Sequence, residues 1–200
     1  MSKALREQLA AIERADPKLF ARYARKALKT RNVRGKNGEP NRGSWCTDEG
    51  TAHAVGRWDL DPFSNPRSHV LSDAACMLER GDDGFGDGTH GSYKLADIGL
   101  LRASELTRVW IQPDYSFVER ALAHYGHTRF CALLRFDPRV EWFQKLYRLV
   151  ELVCVLRKCE FEPPPGVEAS SNSFPHALYY ARAEDATPAI LRKCIAWRTR

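Results

Sequence analysis

RVWIQPDYSFVERALAHYGHTRFCALLR, residues 108–135, passes from a short apolar run through a helix-like stretch into a second apolar run. Arg108–Ile111 reads as a strand, Phe117–Tyr125 as a helix and Phe130–Arg135 as another strand. The alternation extends both ways, with a strand near Arg57–Leu60, a helix near Val140–Leu149, and strands near Leu152–Leu156 and Ala177–Ala181. Strands alternating with helices predict an α/β domain whose mostly parallel sheet is covered on both faces. In such sheets the chemistry sits beyond the carboxyl ends of the strands, which directs attention to the residues after Leu60 and after Ile111.

Composition sets the frame for that reading. Of 200 residues, 44% are hydrophobic and 28% charged, enough apolar material for a core and too much for a disordered chain. No run approaches the roughly 18 apolar residues of a membrane span, and MSKALREQLAAIERAD mixes charge with apolar residues where a signal peptide would be apolar. The expectation is a soluble, cytoplasmic protein. The six cysteines form no C-x-x-C pair and no four-ligand spacing, even with His124 and His127 added, so reduced core thiols are expected and no metal site.

Charge is unevenly placed. Residues 1–43 carry twelve Lys and Arg against four Asp and Glu, a net of +8 in a chain whose total is +6. Two helix-like stretches, Ser2–Ala15 and Pro17–Thr30, lead into the aperiodic linker NVRGKNGEPNRG. A basic helical extension, 1–43, before a domain spanning 44–200 suits phosphate contacts and salt-dependent nucleic-acid binding; a solvated face gives the same composition.

Two strand ends carry candidate chemistry. In WDLDPFSNPRS the apolar strand enters Asp61, Pro62, Phe63, Ser64 and Asn65, where an acid and a turn can hydrogen-bond a polar ligand such as an amino acid or a ribose. The same residue types also make ordinary turns. In RVWIQPDYS the strand ends in Gln112, Pro113, Asp114 and Tyr115. A carboxamide oxygen and a proline carbonyl can accept the two hydrogens of a planar amine while an aromatic ring stacks on its face, which fits the exocyclic amine of a nucleobase. A strand-to-helix turn with a buried tyrosine is the alternative.

Taken together and in this order, the two segments resemble the phage-type DNA N6-adenine methyltransferase family. Its W/Y-x-T-P, D-L-D-P-x-S-N-P and N-P-P-Y segments correspond here to Trp45–Asp48, Asp59–Pro66 and Gln112–Tyr115. FCALLRFDPRVEWFQKLY, VCVLRKCEFEPPPG and SSNSFPHALYYA continue the likeness, which covers residues 44–182. The resemblance implies a Rossmann-like methyltransferase sheet, S-adenosylmethionine as cofactor, DNA as partner, and a place in phage or restriction-modification DNA methylation in the bacterial cytoplasm. It assigns cofactor contacts to Asp61, Pro62, Phe63, Ser64 and Asn65, with Thr47 and Trp45 lining the crevice. A further acidic turn falls to Asp97 on spacing or to Asp83 on its Asp-Gly dipeptide. The glycine- and aspartate-rich stretch GDDGFGDGTHG around Asp83 lacks the spacing and terminal Glu of a calcium loop and reads as a loop beside the substrate cleft.

The chain departs from the family where chemistry is expected. Gln112 replaces Asn or Asp, which moves the acceptor by one methylene, Asp114 replaces the second proline, and Asp48 replaces the proline after Thr47. None of the six cysteines follows a proline, as a C5-cytosine nucleophile would, whereas N4-cytosine transfer uses the same amine geometry. A nucleic-acid-binding protein that keeps the fold and has lost the chemistry is the rival reading, with action on RNA or another amine as a third. Trp142, Phe143, Leu146, Tyr147 and Val150 have helical spacing and read as core.

Overall fold

The structure, a computed structural model, describes residues 46–65, 67–77, 107–113, 115–163 and 175–199. The basic extension 1–43, Trp45, Asp83, Asp97 and Asp114 lie outside the described residues. In chain order the described elements are β1 (Cys46–Thr47), α1 (Glu49–Val55), β2 (Arg57–Ser64), β3 (Leu71–Met77) and β4 (Arg108–Ile111). A 3-10 turn (Tyr115–Phe117) leads into α2 (Val118–Tyr125), β5 (Arg129–Arg135), α3 (Glu141–Leu149), β6 (Leu152–Leu156) and β7 (Phe161–Glu162). The chain closes with β8 (His176–Tyr180), a 3-10 turn (Ala183–Asp185), α4 (Pro188–Leu191) and β9 (Cys194–Arg198).

Seven strands form one sheet in the order β3-β2-β4-β5-β8-β6-β9, and β1 pairs with β7 in a separate antiparallel ribbon. The protein is therefore α/β, with a mixed sheet in which most strands share one direction and β8 and β9 run against them. β3, β2, β4 and β5 run parallel, whereas β8 is antiparallel to both β5 and β6, and β9 is antiparallel to β6. Strand direction is not written in an apolar run, so the reversed direction of β8 and β9 was not legible in the sequence.

Each strand of the sheet's centre is buried on both sides, and the side-chain period of two sorts the residues between two cores. Phe130, Ala132 and Leu134 of β5 join Val118, Leu122, Phe143 and Leu146 of α2 and α3 on one face. Cys131 and Leu133 join Val55 of α1 and Ile190 of α4 on the other. Trp58 and Trp110, both essentially unexposed, meet at 6.2 Å in this second core. The amino ends are held by polar contacts: Asp59 accepts the Arg108 backbone N–H at 2.8 Å, and buried Asp185 takes both Nε and Nη2 of Arg129 at 3.2 and 2.6 Å. Cys46, Cys131, Cys154, Cys159 and Cys194 are buried thiols in no disulfide. Among the described residues no helix is long and apolar enough to cross a membrane.

Asp48, the departure after Thr47, has a local purpose. Its side chain caps α1 by accepting the Thr51 N–H at 2.9 Å, and Gly56 at φ 82° ends that helix. The connector 65–70 is unusually short for a parallel pair, since Leu71 lies opposite Arg57 at the far end of β2. It is fixed on its way by Arg67, which donates to the Pro163 carbonyl at 2.9 Å, and by His69, 3.0 Å from Glu162 of β7.

Candidate functional site

From β2 the chain moves outward to β3 on one side and reappears on the other side as β4, so the sheet order reverses between β2 and β4. Open α/β sheets leave a crevice at the carboxyl side of that reversal. The two candidate segments are the carboxyl ends of these two strands. Leu60 lies opposite Val109, a register that carries Asp61–Phe63 level with Trp110–Gln112.

Pro62 explains why β2 changes course here. It has no N–H for a ladder, and the pairing with β3 slips between Asp61 and Ser64, as a bulge does. Asp61 is the last residue paired before the slip. Only 2% exposed, its Oδ1 accepts the Phe63 N–H at 3.2 Å, and the Ser64 hydroxyl bonds the same carboxyl. Burial outweighs those two hydrogen bonds and pushes its pKa from the ordinary 3.8 up to about 7. A buried acid poised near neutrality at a switch point is a signature of a binding site.

Its neighbours do different work. Phe63 packs edge-on against Tyr125 at 6.3 Å and belongs to the core. Asn65 closes its own turn: Oδ1 accepts the Arg67 N–H at 2.9 Å and the Cys46 thiol at 3.3 Å.

At the end of the neighbouring strand, Gln112 follows β4 with its Oε1 accepting the Thr47 hydroxyl at 2.6 Å. Pro113 is buried behind it. Tyr115 opens the following 3-10 turn and is 47% exposed as a residue, so it is no buried tyrosine. Its hydroxyl lies 3.2 Å from Nε2 of His176, its ring stacks with Trp142 at 6.4 Å and 28°, and the Arg135 guanidinium sits 5.6 Å from the ring centre.

The fold thus brings Asp61, Ser64, Thr47, Gln112, Pro113 and Tyr115 to one edge of the sheet. It also brings residues the sequence reading passed over. Trp142, read as core, is only partly buried and turns toward Tyr115, while Phe143 and Leu146 of the same helix fill the core. His176 reaches the site because β8 is antiparallel to β5, which sets the start of β8 opposite Arg135 at the end of β5. Phe161 of β7 meets the His176 ring at 4.7 Å and 69°. The sequence reading placed a strand near Ala177–Ala181 but gave no direction for it. Among the described residues no cluster of three or more His, Cys, Asp or Glu could hold a metal.

Comparison of the chain with protein-family models, curated proteins and solved structures finds no match.

Proposed function

We propose that this chain is an S-adenosylmethionine-dependent methyltransferase acting on the exocyclic N6 amine of adenine in DNA. The observation that carries the reading is the pairing of an acid-bearing strand end with an amide-bearing one on either side of the sheet's switch point. The sheet is compatible with a Rossmann-like methyltransferase, and the resemblance over 44–182 runs through both strand ends.

The residues present fit the cofactor's chemistry. Asp61, held near pKa 7, ionises more readily beside a positive or hydroxyl-bearing ligand, and a ligand that carries ammonium, sulfonium and ribose hydroxyls supplies such groups. When bound, S-adenosylmethionine supplies an electrophilic methyl group. The chain's own part is positioning. Gln112 Oε1 has two lone pairs, so with Thr47 on one of them it still accepts an amine hydrogen, and the Pro113 carbonyl accepts the other. Tyr115, nearly half exposed, gives its ring to the base plane, which a duplex reaches only after the base is flipped out. Alignment and exclusion of water supply the acceleration, with no covalent enzyme intermediate. The basic extension 1–43 supplies phosphate contacts.

One observation favours a second reading, a nucleic-acid-binding protein that keeps this fold without the chemistry: the Thr47 hydroxyl already engages the presumed amine acceptor. Calorimetric titration of the full chain with S-adenosylhomocysteine tests the cofactor assignment, which fails if nothing binds at millimolar ligand. Nucleoside analysis after labelled methyl transfer separates adenine N6 from cytosine N4.

A further inference from the structure

The β1–β7 ribbon touches one end of the Gln112–Tyr115 segment directly and reaches the other through His176. At one end, the hydroxyl of Thr47, itself 3% exposed, donates to Gln112 Oε1 at 2.6 Å. Directly opposite Thr47 in the ribbon stands Phe161, whose ring meets the imidazole of His176 at 4.7 Å. His176, 6% exposed, has its Nε2 3.2 Å from the Tyr115 hydroxyl at the other end. The ribbon is in turn fixed to the loop after β2 by the Cys46 contact to Asn65 and the Glu162 contact to His69.

From this chain of contacts we infer that Thr47 and His176 are positioning residues, which set the amide of Gln112 and the ring of Tyr115 against each other across the pocket for a planar, amine-bearing base. The inference rests on the methyltransferase reading for its substrate and on the contacts alone for its mechanics. A glutamine acceptor has one more rotatable bond than asparagine and loses more entropy when fixed. Fixing the oxygen on a buried hydroxyl removes that freedom before substrate arrives, and sites work when such groups are held to within about half an ångström. The same applies to the tyrosine. The residue is nearly half exposed, and its hydroxyl is anchored on an imidazole that is itself seated by Phe161. The departure from the family at Gln112 is thereby accommodated: the longer side chain has a tether at its far end.

The test compares the full chain with Thr47→Val, Thr47→Ser, His176→Phe and His176→Gln by two readouts. One is labelled methyl transfer to DNA, with cofactor affinity measured separately. The other needs no turnover: the side-chain amide signals of Gln112 in nitrogen-15 NMR, identified by their loss in Gln112→Ala. Thr47→Val and His176→Phe are expected to lower kcat about tenfold or more, His176→Phe with cofactor Kd within about twofold, and Thr47→Ser and His176→Gln to recover most of the loss. Thr47→Val is also expected to move the Gln112 amide pair to the position of an exposed glutamine; Thr47→Ala gives the same readout if valine disturbs the ribbon. The inference is overturned if Thr47→Val leaves those amide signals in place, or weakens cofactor binding while kcat holds. A wild type that transfers nothing, yet releases the Gln112 amide on Thr47→Val, refutes the methyltransferase reading and upholds the tether.

Discussion

Replacing Asp61 by asparagine separates a residue kept for binding from one kept for folding. The carboxyl is buried and titrates near 7 in the fold against 3.8 when free, so between those values the folded chain holds a proton that the unfolded chain has released. Stability contributed by the protonated acid is complete below about pH 4 and is lost as pH rises through about 7. A gap of about three units at about 1.4 kcal/mol each gives a penalty of about 4 kcal/mol above pH 7. The uncharged amide of the Asp61→Asn variant escapes that penalty while its carbonyl still accepts the Phe63 N–H. Urea unfolding of wild type and Asp61→Asn between pH 4 and 9 is expected to give near-equal stabilities at pH 4 and a variant more stable above pH 7, by up to about 4 kcal/mol. Affinity for S-adenosylmethionine should move the opposite way: present in the wild type, rising with pH toward about 7 as the carboxylate forms, and much reduced in the variant. Equal stabilities across the whole range, or a less stable variant at pH 8, would refute the argument that burial raises this acid.

Gln112→Ala and Tyr115→Ala should each cut methyl transfer about a hundredfold while sparing cofactor affinity, because the proposed function has them touch the base and not the cofactor; steady-state kinetics with parallel calorimetry checks this. If the wild type is silent, Gln112→Asn with Asp114→Pro is expected to restore turnover. Deleting residues 1–43, which carry +8, should weaken DNA binding and flatten its salt dependence, as read by fluorescence anisotropy at several salt concentrations, while cofactor affinity stays unchanged. Phe143→Ala removes a fully buried ring from the core beneath Trp142 and should lower unfolding stability by about 3–5 kcal/mol.

Arg108–Ile111 and Leu152–Leu156 were legible to the residue because strands buried on both faces are unbroken apolar runs. β3 escaped notice for the converse reason: LSDAACM has no such run, and its Leu71 is 46% exposed. β9, in which half-buried and exposed residues alternate after the buried Cys194, lies in a short basic stretch that could be read as helix or strand. Asp61 and Gln112 were legible as site candidates because each ends an apolar run with a polar group at a turn. Their common edge of the sheet depended on β2 and β4 being neighbours, which only the strand order supplies. The contact of Thr47 with Gln112, 65 residues apart, and of His176 with Tyr115, 61 apart, left no trace in local pattern, since both arise from tertiary pairing of β1 with β7 and of β5 with β8.

The central claim is a transfer reaction, and the direct measurement is incubation of the full chain with methyl-labelled S-adenosylmethionine and unmethylated DNA, followed by digestion and separation of nucleosides. The account predicts label in N6-methyldeoxyadenosine, abolished by Asp61→Ala, whose cofactor binding should weaken by about 1.5–3 kcal/mol. Cofactor that binds normally while no label enters DNA, even with Gln112→Asn and Asp114→Pro in place, would contradict it.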